Sequence, residues 1–269
     1  MGNIVAVGKF IMHGVSKLVG MISQTVEIEP GTKTKKSKPA VVFIHGFAMD
    51  GITTWQFQVL SLAKDYAVYV PDLLFFGGST TDKPDRSPEF QAECVAKGLR
   101  MLGVERCTLV AFSYGGMVGF KMAELYPDLV ESMVVTCSVM ALTRSITNAS
   151  LERLGFKCWS DYLLPDSVKG VRNIFEIATY KFPHLPDWIY KHYLEVMFER
   201  RKESEELLAA LVPTRRQRNS KVNREDRPSC SHGRTICLQQ GTQEISLFSV
   251  KRKCARSVSK LCKHLNSIV

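Results

Sequence analysis

Residues 107–116 read Cys-Thr-Leu-Val-Ala-Phe-Ser-Tyr-Gly-Gly, and this stretch decides the fold. Its first four residues read as a buried strand of a parallel sheet. Residues 115–126 have helical periodicity and end at Tyr126-Pro127. Ser113 falls at the turn between them, inside Ala111-Phe112-Ser113-Tyr114-Gly115. A small-x-Ser-x-Gly turn between strand and helix holds the serine in a strained backbone conformation, and so needs nearly side-chain-free neighbours two residues away. Ala111 stands in the first small position, where glycine is commoner. The helix behind the turn supplies free N–H groups and a positive dipole end that favour a developing oxyanion.

The same rhythm runs outward in both directions. Strands are expected at 25–29, 40–44, 66–70, 107–110 and 130–137, with helices at 55–62, 88–102 and 115–126. Alternation of this kind argues a parallel sheet with right-handed crossovers. After Met140 only helical periodicity remains, at 151–163, 167–180 and 186–211, broken at Pro165, Pro183 and Pro186. Such a helical insertion reads as a lid over the carboxyl edge of the sheet. Its aromatics Phe156, Trp159, Tyr162, Phe175, Trp188 and Tyr190 suit either an apolar pocket or plain core.

A chain of 269 residues with 45% hydrophobic content can bury a full-sized core. Its formal charge of +10 is not spread over that core, because residues 213–269 hold 13 of the 36 Lys and Arg but only 3 of the 26 Asp and Glu. That tail has one aromatic, Phe248, and is expected to be poorly structured. Binding of nucleic acid or an anionic membrane by its charge is one alternative reading, although it has no stacking aromatics or recognisable module. Cys94, Cys107, Cys137 and Cys158 stand singly among apolar residues, as buried reduced thiols of an intracellular, cytoplasmic protein do. Cys230, His232 and Cys237 match no structural zinc spacing, so no metal is expected. Residues 1–24 form an amphipathic pattern, read as a helix docked on the domain, with a membrane-surface helix as the alternative.

A second motif, Ile44-His45-Gly46-Phe47, follows the first central strand directly. Its use would be the backbone N–H of Phe47, paired with that of Tyr114, as two oxyanion donors; His45 and Gly46 would support the loop, as Ala111 and Gly115 support the turn. Asp72, in Pro71-Asp72, reads as a loop-capping residue ahead of Gly77-Gly78-Ser79.

Together, Phe43-Ile-His-Gly-Phe47, Pro71-Asp72, Phe76-Gly-Gly-Ser79 and Ala111-Phe-Ser-Tyr-Gly115 resemble the α/β-hydrolase superfamily, in particular plant members similar to meta-cleavage-product hydrolases and epoxide hydrolases. Ser113 separates the chain from epoxide hydrolases, whose nucleophile at that place is an aspartate. The resemblance implies Ser113 as nucleophile of an ester, thioester or carbon–carbon hydrolase, with a small apolar carbonyl substrate and no cofactor. It also implies a base from a Gly-His near the C-terminus and an acid after the penultimate strand. Neither is visible after Val212, where His232 and His264 lack the preceding glycine or the apolar helix that should follow.

The fold expected is therefore α/β: an incomplete α/β-hydrolase parallel sheet (25–140) with a helical lid (141–212) and a basic tail (213–269). Codons compatible with Arg227 to Ile236, read one base further on, also permit Gly-His-Leu-Val-His-Met-Glu-Glu-Pro. That peptide looks like the family's terminal Gly-His segment. The tail is accordingly expected to be a shifted-frame product of a splice variant or gene-model error, and the chain a scaffold without a complete triad or a non-catalytic isoform.

Overall fold

The structure, a computed structural model, describes residues 3–8, 10–11, 38–47, 49–140, 142–178, 183–198, 200–211, 234–238 and 245–248. Its centre is a parallel sheet of β1 (Ala40–Ile44), β2 (Ala67–Tyr69), β3 (Cys107–Phe112) and β4 (Val130–Thr136), in the order β2-β1-β3-β4. Val41 to Ile44 and Leu109 to Ala111 are almost without solvent contact, as expected of strands covered on both faces. β2 is shorter than the predicted 66–70 and only half-buried, because it is the edge strand. The expected strand at 25–29 lies outside the described residues.

Helices α1 (Gly51–Leu62), α2 (Pro88–Met101) and α3 (Tyr114–Leu125) cross between the strands. Each start has a local cause. The Asp50 carboxylate accepts from Thr53 N–H at 2.8 Å, and Ser87 Oγ accepts from Phe90 N–H at 3.2 Å with Pro88 in the first turn. α3 starts without a side-chain cap, directly at the serine turn.

The helical segment after β4, expected from the sequence to be a lid and called so below, comprises α4 (Arg144–Leu154), α5 (Trp159–Leu163), α6 (Val168–Ala178), α7 (Asp187–Met197) and α8 (Arg201–Ala210). Two of the three predicted lid helices are each divided. Gly155, at φ 76°, takes the left-handed conformation that closes α4. Arg200, at φ −110° and ψ 54°, breaks the periodic run between α7 and α8. Val171, Phe175 and Tyr190 form a separate lid core with Met49 of the β1–α1 loop against it. The lid is tied to the sheet domain by Arg86, which pairs with Glu206 at 2.9 Å and stacks on Phe75, and by Arg200, which donates to Ser79 O at 3.4 Å.

Two findings modify the expectations for the ends of the chain. The sheet does not stop at four strands: the backbone of β5 (Arg234–Leu238) pairs parallel with β4, and β6 (Ile245–Phe248) pairs antiparallel with β5. An uncovered edge of β4 is a template for any extended segment, which accounts for pairing by a stretch with little periodicity of its own. The rest of 213–269 lies outside the described residues. At the N-terminus, residues 4–8 are helical and Asn3 donates to His192 O and Glu195 on α7. Ile4, Val7, Phe10 and Ile11 nevertheless face solvent. The described part thus docks through its polar end rather than through its apolar stripe. No helix among the described residues is long and apolar enough to cross a membrane.

Candidate functional site

Ser113 sits between β3 and α3 with φ 51° and ψ −118°, a conformation that costs a non-glycine residue on the order of 1–3 kcal/mol and persists only where the surroundings impose it. They do so on both sides. Ser113 N–H donates to Thr136 O at the end of β4 (3.0 Å), and Ser113 O accepts from Gly116 N–H (2.9 Å). A Cβ on Gly115 would collide with the carbonyl oxygens of Ile44 and His45, so the backbone after β1 lies directly against the serine turn. Ala111 is fully buried where α3 crosses the sheet, with the Cβ position of Gly119 3.4 Å from its own, which explains the demand for a small residue there.

The loop after β1 is brought to the same place. A Cβ on Gly46 would stand 2.7 Å from the Phe112 ring and 3.3 Å from Ser113 Cβ, so only glycine lets this loop approach the serine. The next residue, Phe47, packs edge-on against Tyr114 at 6.0 Å and against Phe76 at 5.4 Å. Tyr114 opens α3, and its N–H belongs to the helix's unpaired first turn. The segments bearing Phe47 and Tyr114 are therefore in contact on either side of Ser113.

His45 is completely buried and both of its ring nitrogens are engaged. Nε2 accepts from Leu73 N–H at 2.9 Å, which leaves the proton on Nδ1 to be donated to Gly46 O at 2.7 Å. Burial lowers its pKa below the ordinary 6.5, outweighing the attraction of Asp72 and Asp50, so the imidazole is neutral. An imidazole committed in this way has no lone pair to offer Ser113. The Asp72 carboxylate accepts from Gly51 N–H, the first residue of α1, at 2.7 Å, and its carbonyl accepts from Ser79 Oγ, as a capping residue does.

Gln91, whose role the sequence reading misses, is 1% exposed on α2. Its amide accepts from Leu74 N–H at 2.9 Å and donates to Leu74 O at 3.2 Å, clamping the loop that His45 also holds. The signal is present in the sequence: Gln91 shares a helical face with Val95 and Leu99, a polar residue in an apolar stripe. The Tyr114 hydroxyl faces Gln91 without hydrogen-bond geometry, and burial pushes its pKa up.

The remaining described histidines are on the lid. His184 is exposed, and His192 accepts from Ile4 N–H through Nδ1 and packs edge-on against Trp188. His13, His232 and His264 lie outside the described residues. Among the described residues no three His, Cys, Asp or Glu come together as metal ligands. A cavity of about 100 Å³ between the lid and the loops is lined by Met49, Asp50, Phe75, Phe76, Tyr193, Met197 and Arg200, among others. None of the six lid aromatics singled out in the sequence lines it. Phe175 and Tyr190 are lid core, Phe156 packs on Tyr162, and Trp188 is half exposed.

Residues 39–156 match the family model described as the alpha/beta hydrolase fold. The chain has the α/β-hydrolase fold over that stretch. Over 99 residues it is 36% identical to an uncharacterized protein of Mycobacterium bovis, which covers 37% of this chain and 29% of that protein. Over 105 residues it is 27% identical to human epoxide hydrolase 4, covering 38% and 28% respectively. The chain thus spans under a third of the length of these curated relatives. Among solved structures, 2-hydroxy-6-oxo-6-phenylhexa-2,4-dienoate hydrolase from Rhodococcus sp. strain RHA1 superposes with a TM-score of 0.56 at 18% identity, over 85% of this chain and 91% of that one. That likeness establishes the shared fold.

Proposed function

We propose that this chain is a serine-hydrolase scaffold in which Ser113 is the nucleophile position, Phe47 and Tyr114 carry the oxyanion donors, and the serine has no base to activate it. The observation that carries the first half is the strained Ser113 turn, held against Gly46 by contacts only glycine permits. His45, Gly46, Ala111 and Gly115 act as supports of that turn and loop. What supports the second half is the commitment of His45 to Leu73 and Gly46, together with the sequence of the tail. The bond class served by such a scaffold is an ester, thioester or carbon–carbon bond next to a carbonyl in a small apolar molecule. This rests on the family, and turnover is not expected of this chain as it stands.

In the shifted-frame reading, a chain with the same first 212 residues and a terminal Gly-His segment would be the active counterpart. Sequencing the transcript across the Val212 codon tests this directly: a junction or base shift there is expected, and an uninterrupted frame with no alternative sequence contradicts it. A fluorophosphonate probe tests the chemistry. Without a base, Ser113 is expected to label no more than a Ser113→Ala control, whereas stoichiometric labelling lost in that control would show a working base.

A further inference from the structure

The N-terminal segment carries an apolar surface that the fold leaves uncovered. Ile4, Val7, Phe10 and Ile11 are 48%, 49%, 80% and 55% exposed, at spacings that share one helical face. The segment is held in place from its other side. Asn3 donates to His192 O and Glu195, and Ile4 N–H donates to His192 Nδ1, so the first turn is pinned to α7. The same His192 packs against Trp188, which is itself half exposed. The outward residues and the exposed indole are therefore linked through one imidazole.

We infer that this surface, Ile4, Val7, Phe10 and Ile11 with Trp188, is a docking face for an anionic lipid surface. Charge selects this occupant. The first acidic residue of the chain is Glu27, so residues 1–26 carry only Lys9 and Lys17 as formal side-chain charges. Of the nearby lid acids, Asp187 is paired with Arg172, while Glu195 accepts from the neutral Asn3 amide and keeps its charge. A second copy would bring the same positive segment, and the basic tail would bring more of the same sign. An apolar stripe with lysines and no acids, bordered by a tryptophan, has the composition of a helix lying in the headgroup region. Lid helix α7 would then rest at the membrane, with Met49 packed beneath the lid core. The inference does not depend on whether Ser113 turns over substrate.

The test is flotation of the full chain, synthesised in the presence of vesicles of phosphatidylcholine with a quarter phosphatidylserine, so that bound protein rises and aggregated protein sinks. The chain is expected to float, and Phe10→Ser with Ile11→Ser to lower the floating fraction about tenfold or more. Both side chains face solvent, so the double variant removes no core contact; Trp188→Ser is expected to produce a smaller loss. Three results would each overturn the inference. The chain sinks with these vesicles; the double variant floats as well as the parent, which assigns binding to the tail; or cross-linking finds a dimer that the double variant dissolves.

Discussion

Replacing Gly115 by alanine places a methyl carbon 2.6 Å from the Ile44 carbonyl oxygen and closer still to that of His45. Ordinary carbon–oxygen contacts of this kind lie at about 3.3–3.6 Å, so the methyl is on the order of 0.7 Å or more inside contact. Both obstacles are buried backbone, Ile44 fixed at the end of β1 by pairing with β3 and His45 directly after it, and neither can rotate away. An overpacking cost of about 2–3 kcal/mol follows. For a domain of this size that corresponds to a melting temperature lower by about 5–10 °C. Gly78→Ala is the matched control, because a Cβ there meets nothing within 4 Å. Thermal unfolding followed by tryptophan fluorescence reports the difference, since Trp55 is buried in the core. If Gly115→Ala melts within about 1 °C of Gly78→Ala, the close approach of the β1 loop to the serine turn is wrong.

Three other outcomes follow from the same geometry. Gln91→Leu deprives the part-buried Leu74 N–H and carbonyl of their partner, and urea denaturation should show a loss of about 1–3 kcal/mol. His45 has a folded pKa below its unfolded 6.5, so the unfolded chain binds the proton more readily. Its contribution to stability is complete above about 6.5 and falls as the pH drops from there toward the lowered value; His45→Gln should lessen the slope of stability against pH in that window. Burial pushes the Cys107 thiol up to about 12, whereas Cys137 and Cys158, expected from their apolar neighbours to be buried, are exposed. Mass mapping after brief treatment of native protein with iodoacetamide should find Cys137 and Cys158 modified and Cys107 intact until denaturant is added.

The parts of the fold legible in the sequence were those written locally. β1 is a continuous apolar run, and the serine turn is specified within five residues by Ala111, Ser113 and Gly115. The divided lid helices were harder to read. Gly155 is an ordinary-looking glycine whose left-handed φ becomes evident only with the chain in place, and the break at Arg200 has no proline or glycine to mark it. The pairing of β5 with β4 is supplied by a neighbouring edge, not by the tail's own pattern. At the site, the sequence places His45 in the loop after β1, but its partner Leu73 is 28 residues away. The Gln91 clamp likewise spans 17 residues, beyond the reach of any periodicity. Short-range chemistry announces the serine; long-range hydrogen bonds hold the loops around it.

We propose that the sheet domain and its helical segment form a sound serine scaffold that lacks an activating base and the acid that would orient it. Fluorophosphonate labelling of this chain beside a counterpart with the same 212 residues followed by the shifted-frame sequence measures that directly. Stoichiometric labelling of the counterpart, lost in its Ser113→Ala variant and missing from this chain, is the expected result. Equal labelling of both chains, or none in the counterpart, would contradict it.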